Sequence, residues 1–450
     1  MLVIILAAGK GARMKSKIPK VLFNVAGKPM LSYAIELAEG LCPEKIVVVV
    51  NQESETIQKT FADSGVNFCV QKKQQGTADA VIAAEEFLKD YKGNVLILCA
   101  DMPNIKIEAI KRFIEKSESS STSFITVKSP DPKGYGRVVR SAGGSVIKIV
   151  EETDATPEEK KINEINTGIY YCKADVLINH LKKVENKNAQ KEYYLTDIVS
   201  DGAFAWCADN ENEFIGINDR SQLSVMEKKI WRERAQKHMF NGVTLIDPDS
   251  VYISAETVIE NDVTIYPNVY LEGKCLLETG VTLYSGVRII DSVICADSVI
   301  KENTLIEGSE IGKECKIGPM AHIRPGSVLT GKNSVGNFVE LKKAKMGHES
   351  KSNHLTYLGD CEIGSAVNIG CGTITCNYDG FKKYKTIIGD GTFVGSDVQF
   401  VAPVTVGKDV IIAAGSTITR NVPDNALGIS RTPQVVLEGK ADHIRAKKKS

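Results

Sequence analysis

The chain has 450 residues, 43% of them hydrophobic, so it exceeds one ordinary domain and two or three are expected. Its 56 Lys and Arg balance 56 Asp and Glu, which excludes a net field that recruits nucleic acid or an anionic membrane surface. No apolar run approaches the ~20 residues that span a bilayer, and the 11 cysteines are scattered without a C-x-x-C pair; a reduced, cytoplasmic protein with no disulfide framework or zinc knuckle is expected.

The opening MLVIILAAGKGARM has no charged segment before its apolar run and no small-residue cleavage site after it. It reads as a first β-strand, 2–7, running into a loop. Further strands read at 45–50, 66–70, 95–100, 124–128 and 165–171, separated by stretches of helical spacing at 31–41, 53–62 and 78–88. This alternation predicts an α/β domain over 1–220, a mostly parallel, Rossmann-like sheet with ligands beyond the C-terminal ends of its strands. The charged, Gly- and Pro-free segment 221–241 reads as a linker helix. The basic 447–449 reads as a solvated terminus.

From 242 to 450 the period changes. Ile253, Ile259, Ile265, Leu271, Leu277, Leu283 and Ile289 are spaced by six, each preceded two positions earlier by a small or β-branched residue, Val251 to Val287. A second ladder runs Leu305, Ile311, Ile317, Ile323, Leu329, Val335 and Leu341, and a third Ile388, Val394, Phe400, Val406, Ile412 and Ile418. Six residues make one short strand plus a corner, and three such hexads close a triangular coil of ~18 residues, a parallel β-helix. Glycine often follows the ladder residue, as at Gly312, Gly336 and Gly389. Between Leu341 and Ile388 the spacing is not a multiple of six, so a loop is expected to leave the prism there, carrying Lys342, Lys343, His348, His354, Tyr357, Asn377, Tyr378 and Asp379.

Two places carry chemistry. In Leu6-Ala7-Ala8-Gly9-Lys10-Gly11-Ala12-Arg13-Met14 small residues let backbone N–H groups approach a nucleotide, and Lys10, Arg13 and Lys20 can neutralise a triphosphate, although such a turn can also be only a turn. Asp101 ends an apolar strand, where it can hold Mg²⁺ or cap a helix from Ile105 onward. His354 lies close in sequence to two cations and a tyrosine, and can be a base for amine acylation or a solvated surface residue.

The run L-A-A-G-x-G-x-R-M, P-K, Q-x₄-G-T, G-Y-G-R, V-E, E-I-N-T-G and N-D-R, in that order, resembles the sugar-1-phosphate nucleotidyltransferases. With the hexad repeat behind it, the whole chain resembles the bacterial bifunctional N-acetylglucosamine-1-phosphate uridylyltransferase/glucosamine-1-phosphate acetyltransferases. That resemblance implies a left-handed coil, a homotrimer, and small-molecule substrates: glucosamine-1-phosphate, N-acetylglucosamine-1-phosphate, UTP and acetyl-CoA. The product, UDP-N-acetylglucosamine, would feed peptidoglycan and lipopolysaccharide precursors.

Position by position, the resemblance implies that Leu6, Ala7, Ala8, Gly9 and Lys20 bind the uridine nucleotide, with Arg13 on the phosphates. Gln71, Gly76 and Thr77 would read the uracil edge. Asp101 and Asn218 would hold Mg²⁺, with Cys99 and Ala100 beside them, and Gly136, Glu151 and Asn166 would bind the sugar. In the repeat domain His354 would be the general base, and Arg324, Lys342, Tyr357 and Asn368 would bind the sugar phosphate. Acetyl-CoA would lie along Cys371, Asn377, Tyr378, Ser396, Ala414 and Arg431. The chain departs from the family pattern at Cys99-Ala100, where Tyr-Gly is usual, at Cys371 for Ala, and at Asn353 for the Gly before the histidine. Two other readings are a repeat domain that serves only oligomerisation, and a metal-dependent β-helix using His322, His348 and His354.

Overall fold

The computed structural model describes residues 1–200 and 202–447, so Lys448 and Lys449 of the basic terminus lie outside the described residues. Two compact units form, Met1–Ile230 and Trp231–Ser450, and the division falls inside the helix Arg220–Phe240.

In the first unit the strand Leu2–Leu6 pairs in parallel with Lys45–Asn51 on one side and Asn94–Cys99 on the other. Asn67–Gln71 adds in parallel beyond Lys45–Asn51. Glu164–Lys173 runs antiparallel to both Asn94–Cys99 and Thr122–Lys128, and Phe204–Cys207 closes that edge. Apolar clusters cover both faces. Leu31, Ile35, Ile110 and Phe113 from the helices Met30–Glu39 and Ile107–Lys116 pack on one. Ala78, Val81, Ala174 and Leu177 from Thr77–Ile82 and Ala174–Leu181 pack on the other. The chain steps outward from Leu2–Leu6 and then returns to its opposite side at Asn94–Cys99. That reversal opens a crevice beyond Leu6 and Cys99, the usual ligand position of such sheets.

Several details differ from the sequence reading, which did not include the strand Phe204–Cys207 or the helix Ala174–Leu181. The 78–88 stretch is two pieces, Thr77–Ile82 and Glu85–Leu88. Arg137–Arg140 and Val146–Val150 form an antiparallel hairpin, which the charged Arg137, Arg140 and Lys148 conceal from an apolar pattern.

In the second unit one sheet of 26 strands winds upward, each short strand pairing in parallel with a strand one coil away. Ile253 pairs Leu271, and Leu271 pairs Ile289, all inside the prism. No hexad can bury its own apolar row; each fully buried Ile, Leu or Val contributes about 1.5–3 kcal/mol only because the next coil covers it.

The second ladder begins at Ile306, not Leu305. Ile306 is buried and pairs both Ile289 and Ile323, whereas Leu305 pairs His322 and is half-buried. The phase shift arises because two hexads are one residue short, Ile289 to Ile294 and Ile306 to Ile311, all four side chains being buried.

The expected break after Leu341 is also displaced. The ladder continues through Met346, Ser352, Leu358, Ile363, Ile369 and Thr375. Two more short hexads and two polar core residues hide it from an apolar count. The insertion is confined to 377–385, between the strands Ile374–Cys376 and Thr386–Ile388. Lys342, Lys343, His354 and Tyr357 therefore lie on the regular strands Ser334–Met346 and Lys351–Ile363, and Arg324 ends His322–Arg324. Only Asn377, Tyr378 and Asp379 of the expected set are on the projecting loop; His348 is in the turn between the two long strands.

At the corners, Gly312 is required by close approach rather than by its own dihedrals, since a Cβ there would stand 2.6 Å from the Leu329 carbonyl oxygen. The left-handed corner positions belong instead to residues such as Asp297 (φ 60°), Asn303 (φ 55°) and Asp409 (φ 53°), types that tolerate that region. Among the described residues no helix is long and apolar enough to cross a membrane.

Candidate active sites

The crevice of the first unit is a cavity of about 450 Å³ lined by Leu6, Ala7, Ala8, Gly9, Lys20, Gln71, Gly76, Thr77, Cys99, Ala100 and Asp101, together with Lys10, Val21, Gln74, Ala80 and Glu192. It forms because the strand Leu2–Leu6 ends in small residues, so backbone rather than side chain borders the space. Ala7 N donates to Val49 O and Ala100 N to Leu6 O, which carries both loops a residue past the sheet.

At its head Lys20 Nζ stands 2.6 Å from Asp101 Oδ2 and 3.0 Å from Asn218 Oδ1. Asp101 caps no helix: the next one, Ile107–Lys116, has Lys106 at its N-cap. The main chain of both residues is anchored, Ile217 N donating to Asp101 O and Asn218 N to Gln222 Oε1. The Lys20 stem crosses Gly11, whose φ is +60° and where a Cβ would lie 2.7 Å from Lys20 Cβ. Arg13 is exposed on the turn Ala12–Met14 and does not line the cavity.

On the far wall Gln71 is buried and donates through Nε2 to Gly76 O (3.0 Å) and Asp79 Oδ2 (2.8 Å). Gly76 (φ 117°) has no room for a side chain, since a Cβ would run into the Tyr193 carbonyl. Thr77 Oγ1 accepts from Leu195 N.

The residues expected to bind the sugar gather beside this cavity. Asn166 Nδ2 donates to Tyr170 Oη (2.7 Å), and its Oδ1 accepts from Gly168 N (3.1 Å). Cys99 Sγ lies 3.6 Å from Gly168 O, and burial pushes its thiol up to about 12. A Cβ at Gly136 would stand 3.5 Å from both Glu151 carboxylate oxygens, and Thr196 Oγ1 donates to that carboxylate at 3.1 Å. Burial raises the Glu151 carboxyl above the usual glutamate range. Asp79, Thr196 and Gly11 were not singled out from sequence, although Gly11 stands inside the glycine motif.

In the β-helix the cations stack in register. Arg324 pairs with Lys342 on the next coil, and Lys342 with Gly359 on the one after. Arg324 Nη1 meets Glu340 Oε1 at 2.7 Å, and Lys342 Nζ is 3.8 Å from Asp360 Oδ2. Asn377 Nδ2 reaches Asp360 Oδ2 (2.5 Å) and lies 3.5 Å from Tyr357 Oη. Lys383, from the projecting loop, joins them: its meeting with Lys342 holds it below the usual lysine range. Sequence spacing missed it, because a loop residue of no fixed period gives no signal.

His354 Nδ1 lies 3.3 Å from Asn337 Oδ1, its register partner on the preceding coil. Below it, Gly372 N bonds Leu355 O, Asp397 N bonds Cys371 O and Gly415 N bonds Ser396 O. Arg431 Nη1 then donates to Ala414 O at 2.8 Å. His354, Cys371, Ser396, Ala414 and Arg431 thus descend one edge of the prism in successive coils, spaced by about 4.8 Å. Asn353 turns aside, its Oδ1 accepting from Ser334 Oγ. Tyr378 is exposed on the loop. Asn368 stands apart from the sugar-phosphate set: it pairs with Lys351 and Phe393, on a different face from Tyr357, which pairs with Glu340 and Ile374. As for a histidine metal centre, the described residues contain no group of three or more His, Cys, Asp or Glu able to hold a metal ion.

Residues 2–212 match the nucleotidyl transferase family, 248–352 the GMPPB C-terminal domain, and 385–420 the bacterial transferase hexapeptide family with its six repeats. The chain is 46% identical over 441 residues to the bifunctional protein GlmU of Trichlorobacter lovleyi, covering 96% of both chains. It is 45% identical over 456 residues to that of Pelobacter propionicus, covering 99% of both. It is 42% identical over 450 residues to that of Carboxydothermus hydrogenoformans, covering 98% of this chain and 99% of the other. With a nucleotidyltransferase crevice in one unit, hexapeptide coils in the other and likeness over nearly the full length, the chain belongs to the GlmU family of bifunctional enzymes of UDP-N-acetylglucosamine synthesis.

Proposed function

We propose that the residues described above perform two consecutive transfers: acetylation of glucosamine-1-phosphate on the β-helix, then uridylylation of the N-acetyl product in the crevice. In the first, Nδ1–H of His354 donated to Asn337 Oδ1 leaves the lone pair on Nε2. Nε2 takes a proton from the sugar amine as its nitrogen attacks the thioester carbonyl, and the CoA thiolate leaves. Arg324, Lys342, Lys383 and Tyr357 hold the sugar phosphate, and the pantetheine runs down the edge from Cys371 to Arg431. The spread of Asn368 onto another face favours an acetyl site completed by a neighbouring subunit, in a homotrimer.

In the second transfer, an oxygen of the sugar phosphate attacks the α-phosphorus of UTP and the bond to the β-phosphate breaks, releasing pyrophosphate. No protein nucleophile is needed, so catalysis is positioning and charge neutralisation. The backbone of Ala7, Ala8 and Gly9 borders the nucleotide, Gln71 and Thr77 the base, and Gly136, Glu151 and Asn166 the sugar, with Lys20 on the phosphates and Arg13 joining it there only by swinging in from its exposed turn. Asp101 and Asn218 fit Mg²⁺: two hard oxygens already converge on one cation, the Lys20 ammonium, and this ion takes one or two protein oxygens plus substrate phosphates. Bound there, the ion supplies charge neutralisation to the triphosphate. Small-molecule substrates and a cytoplasmic setting complete the reading.

The observation that carries it is the cluster of Arg324, Lys342 and Lys383, stacked five register positions along from His354, which a repeat domain serving only assembly does not require. The test is separation of activities. His354→Ala is expected to abolish CoA release with glucosamine-1-phosphate and leave pyrophosphate release intact, and Asp101→Ala the reverse. Loss of both activities in either folded variant would falsify the assignment.

A further inference from the structure

Lys20 is asked to do two things at once in this crevice. It lines the cavity that takes the triphosphate, yet its ammonium is bound outside that role, 2.6 Å from Asp101 Oδ2 and 3.0 Å from Asn218 Oδ1. Those are the two oxygens proposed for the metal, so metal and ammonium cannot both contact them. The main chain of both ligands is anchored, Ile217 N donating to Asp101 O and Asn218 N to Gln222 Oε1, and their side chains are short. The flexible partner is the lysine. Its side chain is 11% exposed, and the open space beside it is the 450 Å³ cavity itself.

We infer that Lys20 is a built-in surrogate for the metal: it holds Asp101 and Asn218 in register while the crevice is empty, and arriving metal displaces its ammonium toward the nucleotide phosphates. The inference rests on the reading of Asp101 and Asn218 as metal ligands and adds a coupling to it. A carboxylate oxygen and an amide carbonyl oxygen left facing each other without a cation, one a negative charge and the other the negative end of a dipole, repel; the ammonium prevents that at the expense of intrinsic metal affinity. Metal binding to the free protein is weakened by the fraction of molecules in which Lys20 occupies the site. Each metal bound liberates one cation into the phosphate cavity, so metal and triphosphate strengthen each other's binding through one side chain, and by linkage the effect is reciprocal.

Two measurements on the full chain test this without turnover. Mn²⁺ titration of the nucleotide-free protein, followed by electron paramagnetic resonance, is expected to show affinity about tenfold higher in Lys20→Met than in the unsubstituted protein, as removal of a resident competitor requires. Amine labelling of the unsubstituted protein, read at Lys20 by mass spectrometry, is expected to rise severalfold on adding Mn²⁺ or Mg²⁺ alone. Unchanged or weaker Mn²⁺ affinity in a folded Lys20→Met protein, or labelling of Lys20 indifferent to metal, overturns the inference. If Mn²⁺ binding is insensitive to Asp101→Asn, the metal-site reading itself fails, and the surrogate role with it.

Discussion

Gly359 shows how one missing side chain can shape a site. A Cβ there would run into Tyr357 Oη and lie 2.8 Å from Asn377 Nδ2, so the tyrosine reaches the Asp360 side of the prism only because this corner is bare. Gly359→Ala is expected to lower acetyl transfer at least tenfold, chiefly through KM for glucosamine-1-phosphate, with uridylyl transfer unchanged; separate assays of CoA and pyrophosphate release check it. Glu151 makes a different case at the same scale. Burial raises its carboxyl, so the native state holds the proton more tightly than the unfolded chain does. The sign follows: stability from this group is full below the ordinary glutamate value and falls as pH rises through the raised native one. Glu151→Gln is therefore expected to melt higher than the unsubstituted protein at pH 7 and to lose that advantage near pH 4, in thermal scans across pH.

At the scale of elements, the β-helix tolerates short hexads but not empty ones. Ile317 is fully buried and pairs with Ile300 and Val335, so Ile317→Ala leaves a void between three coils. A cost of about 2–5 kcal/mol is expected, measured by denaturant unfolding with the signal of the second unit. Ser352 and Thr375 stand in the same inward rows near the acetyl site, and Ser352 Oγ is buried without a hydrogen-bond partner. Ser352→Ala is expected to stabilise the unit rather than weaken it, because it removes an unpaired polar atom without adding bulk to the packed core. The loop 377–385 is an insertion that leaves the prism, and it delivers Asn377 and Lys383 to the stacked cations.

At the scale of the whole molecule, a chain with two sites on separate units should lose them separately. The distribution of the acetyl-site residues over two faces also predicts an oligomer. Sedimentation equilibrium is expected to give a mass three times that of the chain, and mixing inactive His354→Ala subunits with inactive Asn368→Ala subunits is expected to restore part of the acetyl transfer. A monomeric mass with full acetyl transfer would sink the shared-site reading.

The sequence by itself determined the architecture, because six-residue spacing and strand–helix alternation are local consequences of which side chains must be buried. Sequence also singled out Asp101, Asn218, His354 and the Leu6-Ala7-Ala8-Gly9 loop as candidates, since their motifs lie within short stretches of chain. It misplaced the start of the second ladder and the residues that leave the prism between the second and third, as a five-residue hexad or a buried serine looks like a lost period when only apolar residues are counted. Tertiary structure alone decided the rest. The union of Lys20, Asp101 and Asn218 joins residues 81 and 198 positions apart, and the edge from His354 to Arg431 exists only when coils stack. Such contacts depend on register between distant segments, which is set by packing across the whole core and leaves no mark in any one window of sequence.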